Sequence, residues 1–161
     1  MPDPVEEKKP VLSLRGLTTV FKTDLGAVKA VDNLDLDLPT GATLGIVGES
    51  GCGKSTVGLS IMKLIPEPPG RIASGEIVFE GEDLTKLSNR QMRSIRGNKI
   101  SIIFQEPMTS LNPVLRIGEI LSEVIRTHQQ VSRKMAWEKS IDALDKVRIP
   151  SPHIRINDYP H

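Results

Sequence analysis

The sequence predicts an α/β fold, and three stretches of the chain carry that prediction. Residues 11–38 hold two runs of alternating apolar residues, the pattern of β-strands that bury one face. Residues 42–65 read as a short apolar strand, a glycine-rich loop and a helix in direct succession. Residues 116–147 hold two segments with the apolar spacing of amphipathic helices. We therefore expect an antiparallel β region, a strand–loop–helix unit and a helical part.

Local patterns define the remaining elements. Leu34, Leu36 and Leu38 alternate with aspartates, so one face of their strand should be buried. Ser88 and Gln91 match a capping box at the start of a short helix. Strands are expected at 11–22, 28–38, 42–47, 76–80 and 99–104, and helices at 54–65, 89–95, 116–128 and 132–147.

Composition narrows the function classes. The chain has 161 residues, which suits one domain with a real core. Its 21 Lys and Arg balance 20 Asp and Glu, so no nucleic-acid partner is expected. No apolar run approaches the roughly 18 residues that a transmembrane helix needs. Residues 1–10 lack the hydrophobic core of a signal peptide, and we expect them to form a flexible tail.

The loop after the strand at 42–47 fits the phosphate-binding pattern G-x-x-x-x-G-K-[ST]. Its glycines permit sharp turns and let backbone N–H groups approach phosphate oxygens. The following helix adds the positive end of its dipole. Lys54 would reach the β- and γ-phosphates, and the Ser55 hydroxyl would bind Mg²⁺. The loop consists of Gly48, Glu49, Ser50, Gly51, Cys52, Gly53, Lys54, Ser55 and Thr56.

Cys52 is the only cysteine of the chain, so no internal disulfide can form. This fits a reducing compartment. A thiol at a helix N-terminus can be reactive, but the preferred interpretation is a small residue that fits a tight loop.

A second motif begins at Gln105, which ends an apolar stretch about fifty residues after Lys54. Residues 48–56 resemble the Walker A loop of ATP-binding subunits of ABC transporters, close to the oligopeptide and dipeptide importer branch. Residues 103–113 resemble the Q-loop of that branch, which is the more discriminating match. Residues 30–34 and 158–161 also resemble it.

The resemblance implies a P-loop NTPase core of the RecA-like type beside an antiparallel β subdomain. Residues 11–161 would form the N-terminal part of the nucleotide-binding domain, with the Q-loop and the start of a helical subdomain from about 105 to 161. ATP and Mg²⁺ would be the cofactors, and Gln105 would contact the Mg²⁺ or the attacking water. Phe21 lies where the family places an aromatic residue that stacks on adenine, although packing in the core is an equal alternative.

The resemblance also implies partners. Residues Glu106 to Pro113 and the following helix would face a membrane-spanning permease, and a second ATP-binding subunit would complete the ATP sites. The chain would then lie peripherally at the cytoplasmic face of the inner membrane, as part of an importer for peptides or related small solutes.

The family's pattern continues beyond the stretch that residues 159–161 resemble, and the sequence does not include that continuation. The signature loop, the Walker B strand, the D-loop and the switch histidine are absent, and none of His128, His153 and His161 has a suitable context. A truncated chain of this kind is expected to bind ATP weakly at best, without turnover. It is also expected to expose sheet edges and to be poorly soluble.

Two alternatives remain open from the residues. The chain could be a non-catalytic subunit that binds nucleotide or permease. It could also be another phosphate-loop enzyme, such as a small-molecule kinase, although the strands before the loop and the Gln105 motif argue against a kinase.

Overall fold

A computed structural model describes residues 9–105 and 111–161 of the chain. The chain divides into two compact units, of which the first ends at Arg93 and the second runs from Ser94 to His161. The residues of the predicted N-terminal tail up to Lys8 lie outside the described residues, and the first strand begins at Pro10. Each unit has its own set of buried side chains.

The first unit is built on one antiparallel sheet. Its strands are β1 (Pro10–Thr23), β2 (Gly26–Pro39), β3 (Gly70–Phe79) and β4 (Glu82–Asp83), in the spatial order β2-β1-β3-β4. The antiparallel β region predicted from alternation is therefore confirmed, although β3 begins six residues before the expected start at residue 76.

The central strand β1 is the most buried, because it pairs with β2 on one side and with β3 on the other. The leucines of β2 are half-buried while the aspartates between them are exposed, as their alternation predicts. The buried apolar residues of this unit include Leu14, Leu17, Val31, Val57, Ile77, Phe79 and Leu84.

Helix α1 (Lys54–Ile61) follows the glycine-rich loop and ends earlier than the predicted residue 65. Lys63 adopts a left-handed conformation with φ of 48°, which an α-helix cannot continue through. The backbone N–H of Leu64 reaches back to the Leu59 carbonyl at 2.8 Å, which closes the helix end with a wide turn.

The chain after β4 is shaped by two caps. Asp83 accepts hydrogen bonds from the backbone N–H and the hydroxyl of Thr85, which fixes a 3₁₀ turn at Leu84–Lys86. Helix α2 (Asn89–Ile95) begins after Ser88, and the Gln91 side chain accepts from the Ser88 N–H at 2.9 Å. The capping box predicted from the sequence is confirmed.

The second unit contains helices α3 (Ile117–Gln129), α4 (Arg133–Lys146) and α5 (Pro152–Arg155). The predicted helix pair is confirmed to within one residue at each end. Helices α3 and α4 pack against each other, and the Ser132 hydroxyl caps α4 by accepting from the Met135 N–H. The first N–H groups of α3, at Ile117 and Gly118, donate to backbone carbonyls of the segment after α5.

Two predicted strands, at 42–47 and 99–104, are wrong for the described part of the chain. A strand needs a neighbour for its backbone groups. Within the described residues, 43–47 make no backbone hydrogen bond to another segment, and only an isolated bridge between Arg96 and Ile100 marks the second stretch. Apolar side chains on both remain exposed, with Val47 at 93% and Ile103 at 90%. Apolar composition alone therefore did not make these stretches strands.

Candidate nucleotide-binding site

The glycine-rich loop turns through two left-handed glycines. Gly51 has φ of 81° and Gly53 has φ of 96°, a region that residues with a Cβ rarely adopt. The turn is closed by the Cys52 N–H, which donates to the Glu49 carbonyl at 3.3 Å. Gly53 then forms the N-cap of α1, so the loop runs directly into the helix.

Strand β2 supports the loop through a β-bulge. Thr19 pairs with Val31 while Val20 pairs with Lys29, so Ala30 is an extra residue on β2. A Cβ on Gly53 would lie 2.1 Å from the Ala30 carbonyl oxygen. The bulge thus brings backbone against the loop at a distance that only glycine allows, and bulges often aim chain segments next to functional sites.

The N-terminus of α1 is suited to an anion. The first N–H groups of a helix have no partner within it, and Gly53 offers no side chain to cap them. The first turn carries no acidic residue that would compete for this position. Within residues 9–105 and 111–161, no backbone carbonyl accepts from the N–H groups of Lys54, Ser55 or Thr56. These groups remain for an external acceptor, supported by the helix dipole.

The Lys54 side chain folds back over the loop. Its Nζ donates to the carbonyl oxygens of Gly48 at 2.7 Å and Glu49 at 2.6 Å. Cys52 Sγ lies 3.5 Å from the same nitrogen. A Cβ on Gly48 would lie 2.7 Å from Cys52 Sγ, so the thiol fills the space that this glycine leaves. The ammonium group is thus held at the mouth of the loop by groups that a stronger acceptor, such as phosphate, could replace.

Phe21 lies near the end of β1 in the same unit and is half-buried. It pairs with Gly70 of β3, and a Cβ on Gly70 would lie 2.7 Å from Phe21 Cε1 and 2.5 Å from Ile65 Cγ2. The aromatic ring therefore packs over a glycine of the neighbouring strand, beside Ile65, which lies four residues after the end of α1. This packing explains why Phe21 is partly buried. The stacking of its ring on adenine stays a prediction.

Gln105 belongs to the second unit, where it is exposed and follows residues 101–104, which form neither helix nor strand. Of the predicted permease-facing loop, Glu106 to Ser110 lie outside the described residues, and the structure describes Leu111 to Pro113.

Cavities give a weaker indication of the site than the loop itself. A depression of about 260 Å³ borders the loop and is lined by Ala30, Val47, Gly53 and Lys54 among others. Two larger cavities, each of about 600 Å³, lie at the hairpin end of β1 and beneath β3, and neither includes residues 48–56. We assign the site to the loop because helix N–H groups without a side-chain cap and the Lys54 ammonium group converge there.

The family is decided by a match to a family model. The model described as ABC transporter matches residues 31–159, which is most of the chain and includes the loop. The chain belongs to the ABC transporter family. This membership is consistent with the phosphate loop and the strands before it, and it takes away the support for a small-molecule kinase.

Curated relatives point to one branch of the ABC family. The chain is 46% identical over 151 residues to the oligopeptide transport ATP-binding protein OppD of Bacillus subtilis, a match that covers 94% of this chain and 42% of that protein. It is also 46% identical to the dipeptide transport ATP-binding protein DppD of Bacillus subtilis, covering 94% and 45%. The chain thus spans less than half the length of these relatives.

A solved structure confirms the fold. The ATP-binding cassette MJ0796, a dimer in a post-hydrolysis state bound to ADP and Pi, superposes with a TM-score of 0.77 at 23% identity. The superposition covers 92% of this chain and 61% of that chain. The α/β phosphate-loop fold expected from the sequence is therefore confirmed. No helix within residues 9–105 and 111–161 has the length and apolarity to cross a bilayer.

Sequence reasoning missed the residues that hold α1 against the sheet. Thr19 and Ser60 are both fully buried, and their hydroxyl oxygens are 2.8 Å apart. The available signals were a threonine alternating with Leu17 on β1 and a serine one helical turn after Thr56. Neither signal names the partner, because the two residues are far apart in sequence.

Proposed function

We propose that residues 48–56 bind the phosphates of ATP together with Mg²⁺. The observation that carries this proposal is the N-terminus of α1. Gly53, in a left-handed conformation, gives this helix end no side-chain cap, and the Lys54 ammonium group lies beside it. Backbone N–H groups, a helix dipole and a cation at one place match the charge and the acceptor oxygens of a polyphosphate. The ABC family membership supports a nucleotide as the source of that phosphate.

Individual residues would bind different parts of the nucleotide and its metal ion. The Ser55 hydroxyl, which lies exposed in the first turn of α1, would bind Mg²⁺, and Lys54 would bind the β- and γ-phosphates. Gln105 would bind Mg²⁺ or orient a water molecule. The ring of Phe21 would contact the adenine with the face that does not pack on Gly70.

We further propose that the chain is the N-terminal part of the ATP-binding subunit of an importer for peptides or related small solutes. The named relatives, oligopeptide and dipeptide transport ATP-binding proteins, support this. In that role residues 106–113 and α3 would bind a membrane-spanning permease. A second ATP-binding subunit would pair with this one, as two cassettes do in the MJ0796 dimer. The assembly would lie at the cytoplasmic face of the membrane.

By itself, the 161-residue chain is proposed to bind ATP without hydrolysing it. Hydrolysis needs a group that orients or deprotonates the attacking water. Within these 161 residues, no apolar segment ends in an Asp-Glu pair that could supply such a group. Phosphate release that depends on Lys54 would contradict the proposal.

The test is equilibrium binding of a fluorescent ATP analogue with Mg²⁺ to the purified chain. Lys54→Ala should weaken binding tenfold or more, because charge-assisted hydrogen bonds contribute roughly 1.5–3 kcal/mol. Gly53→Ala should weaken binding as well, although it removes no charge, since a Cβ there meets the Ala30 carbonyl.

Lys146→Ala is the matched control, because it removes the same charge from the last turn of α4 in the other unit. It should bind as the unaltered chain does. Circular dichroism should show that all variants are folded. Equal affinity of Lys54→Ala and the unaltered chain would contradict the assignment of the site.

A further inference from the structure

A directed chain of hydrogen bonds runs from the sheet to the phosphate loop. Ser60 Oγ donates to the Thr56 carbonyl oxygen at 2.7 Å. A serine hydroxyl has one proton, so the 2.8 Å contact between Thr19 and Ser60 is made by the Thr19 hydroxyl as donor. Thr56 is the last residue of the loop motif. The chain of bonds therefore links β1 to the carboxyl end of the proposed phosphate site.

The same strand carries the proposed base site. Thr19 and Phe21 are two residues apart on β1, so their side chains point to the same face of the sheet. Phe21 packs over Gly70 next to Ile65, which follows α1. The contact with Ser60 of α1 and the ring of Phe21 therefore lie on the same face of β1.

Other contacts of α1 lie at its ends, where the Lys63 ammonium group just after the helix donates to the Thr85 and Leu87 carbonyls. The helix has eight residues, of which Val57 and Ser60 are buried. The Ala30 carbonyl supports its N-terminus at Gly53. Apolar contacts resist separation but permit sliding, whereas a hydrogen bond fixes a distance and a direction. In the described part of the chain, the Thr19–Ser60 bond is the hydrogen bond that joins α1 to β1, and it fixes how far α1 stands along β1.

We propose that Thr19 and Ser60 are positioning residues that set the distance between the phosphate-binding loop and Phe21. This inference rests on the proposed nucleotide function and adds residues that touch no part of the nucleotide. A ligand that occupies both the loop and the Phe21 site needs this distance. A ligand that occupies the loop alone does not.

The experiment compares ATP with inorganic tripolyphosphate, which has the phosphates but no base, by calorimetric titration with Mg²⁺. Thr19→Val removes the donor with little change in shape. It should lower the affinity for ATP roughly fivefold or more, the usual size of coupling between two sites. Its affinity for tripolyphosphate should change less than twofold. Ser60→Ala should give the same pattern, and Thr19→Ser, which keeps the hydroxyl, should restore the ATP affinity.

Thr18→Val is the matched control. Thr18 is buried on the same strand, but its hydroxyl accepts from the Asn33 N–H of β2. Its loss should lower the melting temperature without changing the ratio of ATP to tripolyphosphate affinity. If Thr19 had only a structural role, Thr19→Val and Thr18→Val would have the same effect on the ratio of ATP to tripolyphosphate affinity.

The outcomes separate the two proposals. If the unaltered chain binds ATP and Thr19→Val keeps the unaltered ratio of affinities, the positioning role is overturned while the nucleotide site stands. The same holds if Thr19→Val and Ser60→Ala weaken both ligands equally. If the folded, unaltered chain binds neither ligand, the proposed function and the positioning role are both overturned.

Discussion

Replacing Gly118 by alanine should destabilise the second unit, here called the helical unit because it contains α3, α4 and α5, although alanine normally favours a helix. Gly118 is the second residue of α3 and is buried. A Cβ there would lie 2.4 Å from Trp137 Cη2 and 2.7 Å from Ile156 Cγ1. Both distances are far below ordinary carbon–carbon contact, so α3, the indole or the segment after α5 must shift.

The expected size follows from two opposing terms. Alanine in place of glycine within a helix contributes about 0.5–1 kcal/mol of stability. Overpacking by one methyl group in a well-packed core costs about 1–3 kcal/mol. The shift would also strain the 2.8 Å bond from the Gly118 N–H to the Ile156 carbonyl. The net loss in the free energy of unfolding should be about 1 kcal/mol.

Urea denaturation measures this loss directly. Trp137 is the only tryptophan, so its fluorescence reports on the helical unit. Gly45→Ala is the control, since a Cβ at Gly45 meets nothing within 4 Å, and it should leave the midpoint unchanged. Combining Gly118→Ala with Trp137→Leu, followed by circular dichroism, should make the alanine neutral or stabilising. Equal or greater stability of Gly118→Ala with Trp137 in place would refute the packing argument.

Two further predictions concern the first unit and the exposed segments. Burial would raise the pKa of Asp83, but hydrogen bonds from Thr85 and Lys86 outweigh it and hold that pKa below its usual value. The stability gained from the ionised carboxylate is therefore full above about pH 4 and is lost as the pH falls through the lower folded pKa. The difference in melting temperature between the unaltered chain and Asp83→Asn should shrink in acid, and a constant difference would count against this. Replacing Val47 and Ile103 together by threonine should raise the monomer fraction in sedimentation, because both are almost fully exposed; unchanged association would mean that other surfaces cause it.

Local patterns were sufficient for much of the fold. The alternation of Leu34, Leu36 and Leu38 with aspartates predicted β2 and its half-buried face, because a strand repeats every two residues. Ser88 and Gln91 predicted the start of α2, because a capping box acts within four residues. The loop motif predicted the turn into α1 for the same reason, since its glycines and the helix start are contiguous, and the phosphate site itself stays a prediction. Each of these features is decided by neighbours in sequence.

The predictions that were wrong or missed depend on contacts between residues that are far apart in sequence. Residues 42–47 have the composition of a strand, but a strand also needs a partner at hydrogen-bonding distance, and composition does not supply one. Thr19 and Ser60 could not be paired from the sequence, because 41 positions separate them. The packing of Phe21 over Gly70 likewise depends on the register between β1 and β3, which alternation alone leaves undetermined.

Gly53 shows how local and non-local requirements meet in the site. The motif explains this glycine by its left-handed φ, which is a property of the loop alone. The bulge at Ala30 adds a separate reason, because the β2 carbonyl occupies the place of a Cβ. A residue that tolerated the conformation, such as asparagine, would still collide with β2. The sheet therefore constrains the phosphate loop as directly as the loop's own sequence does, and Thr19, acting through Ser60, extends that constraint to the far end of the motif.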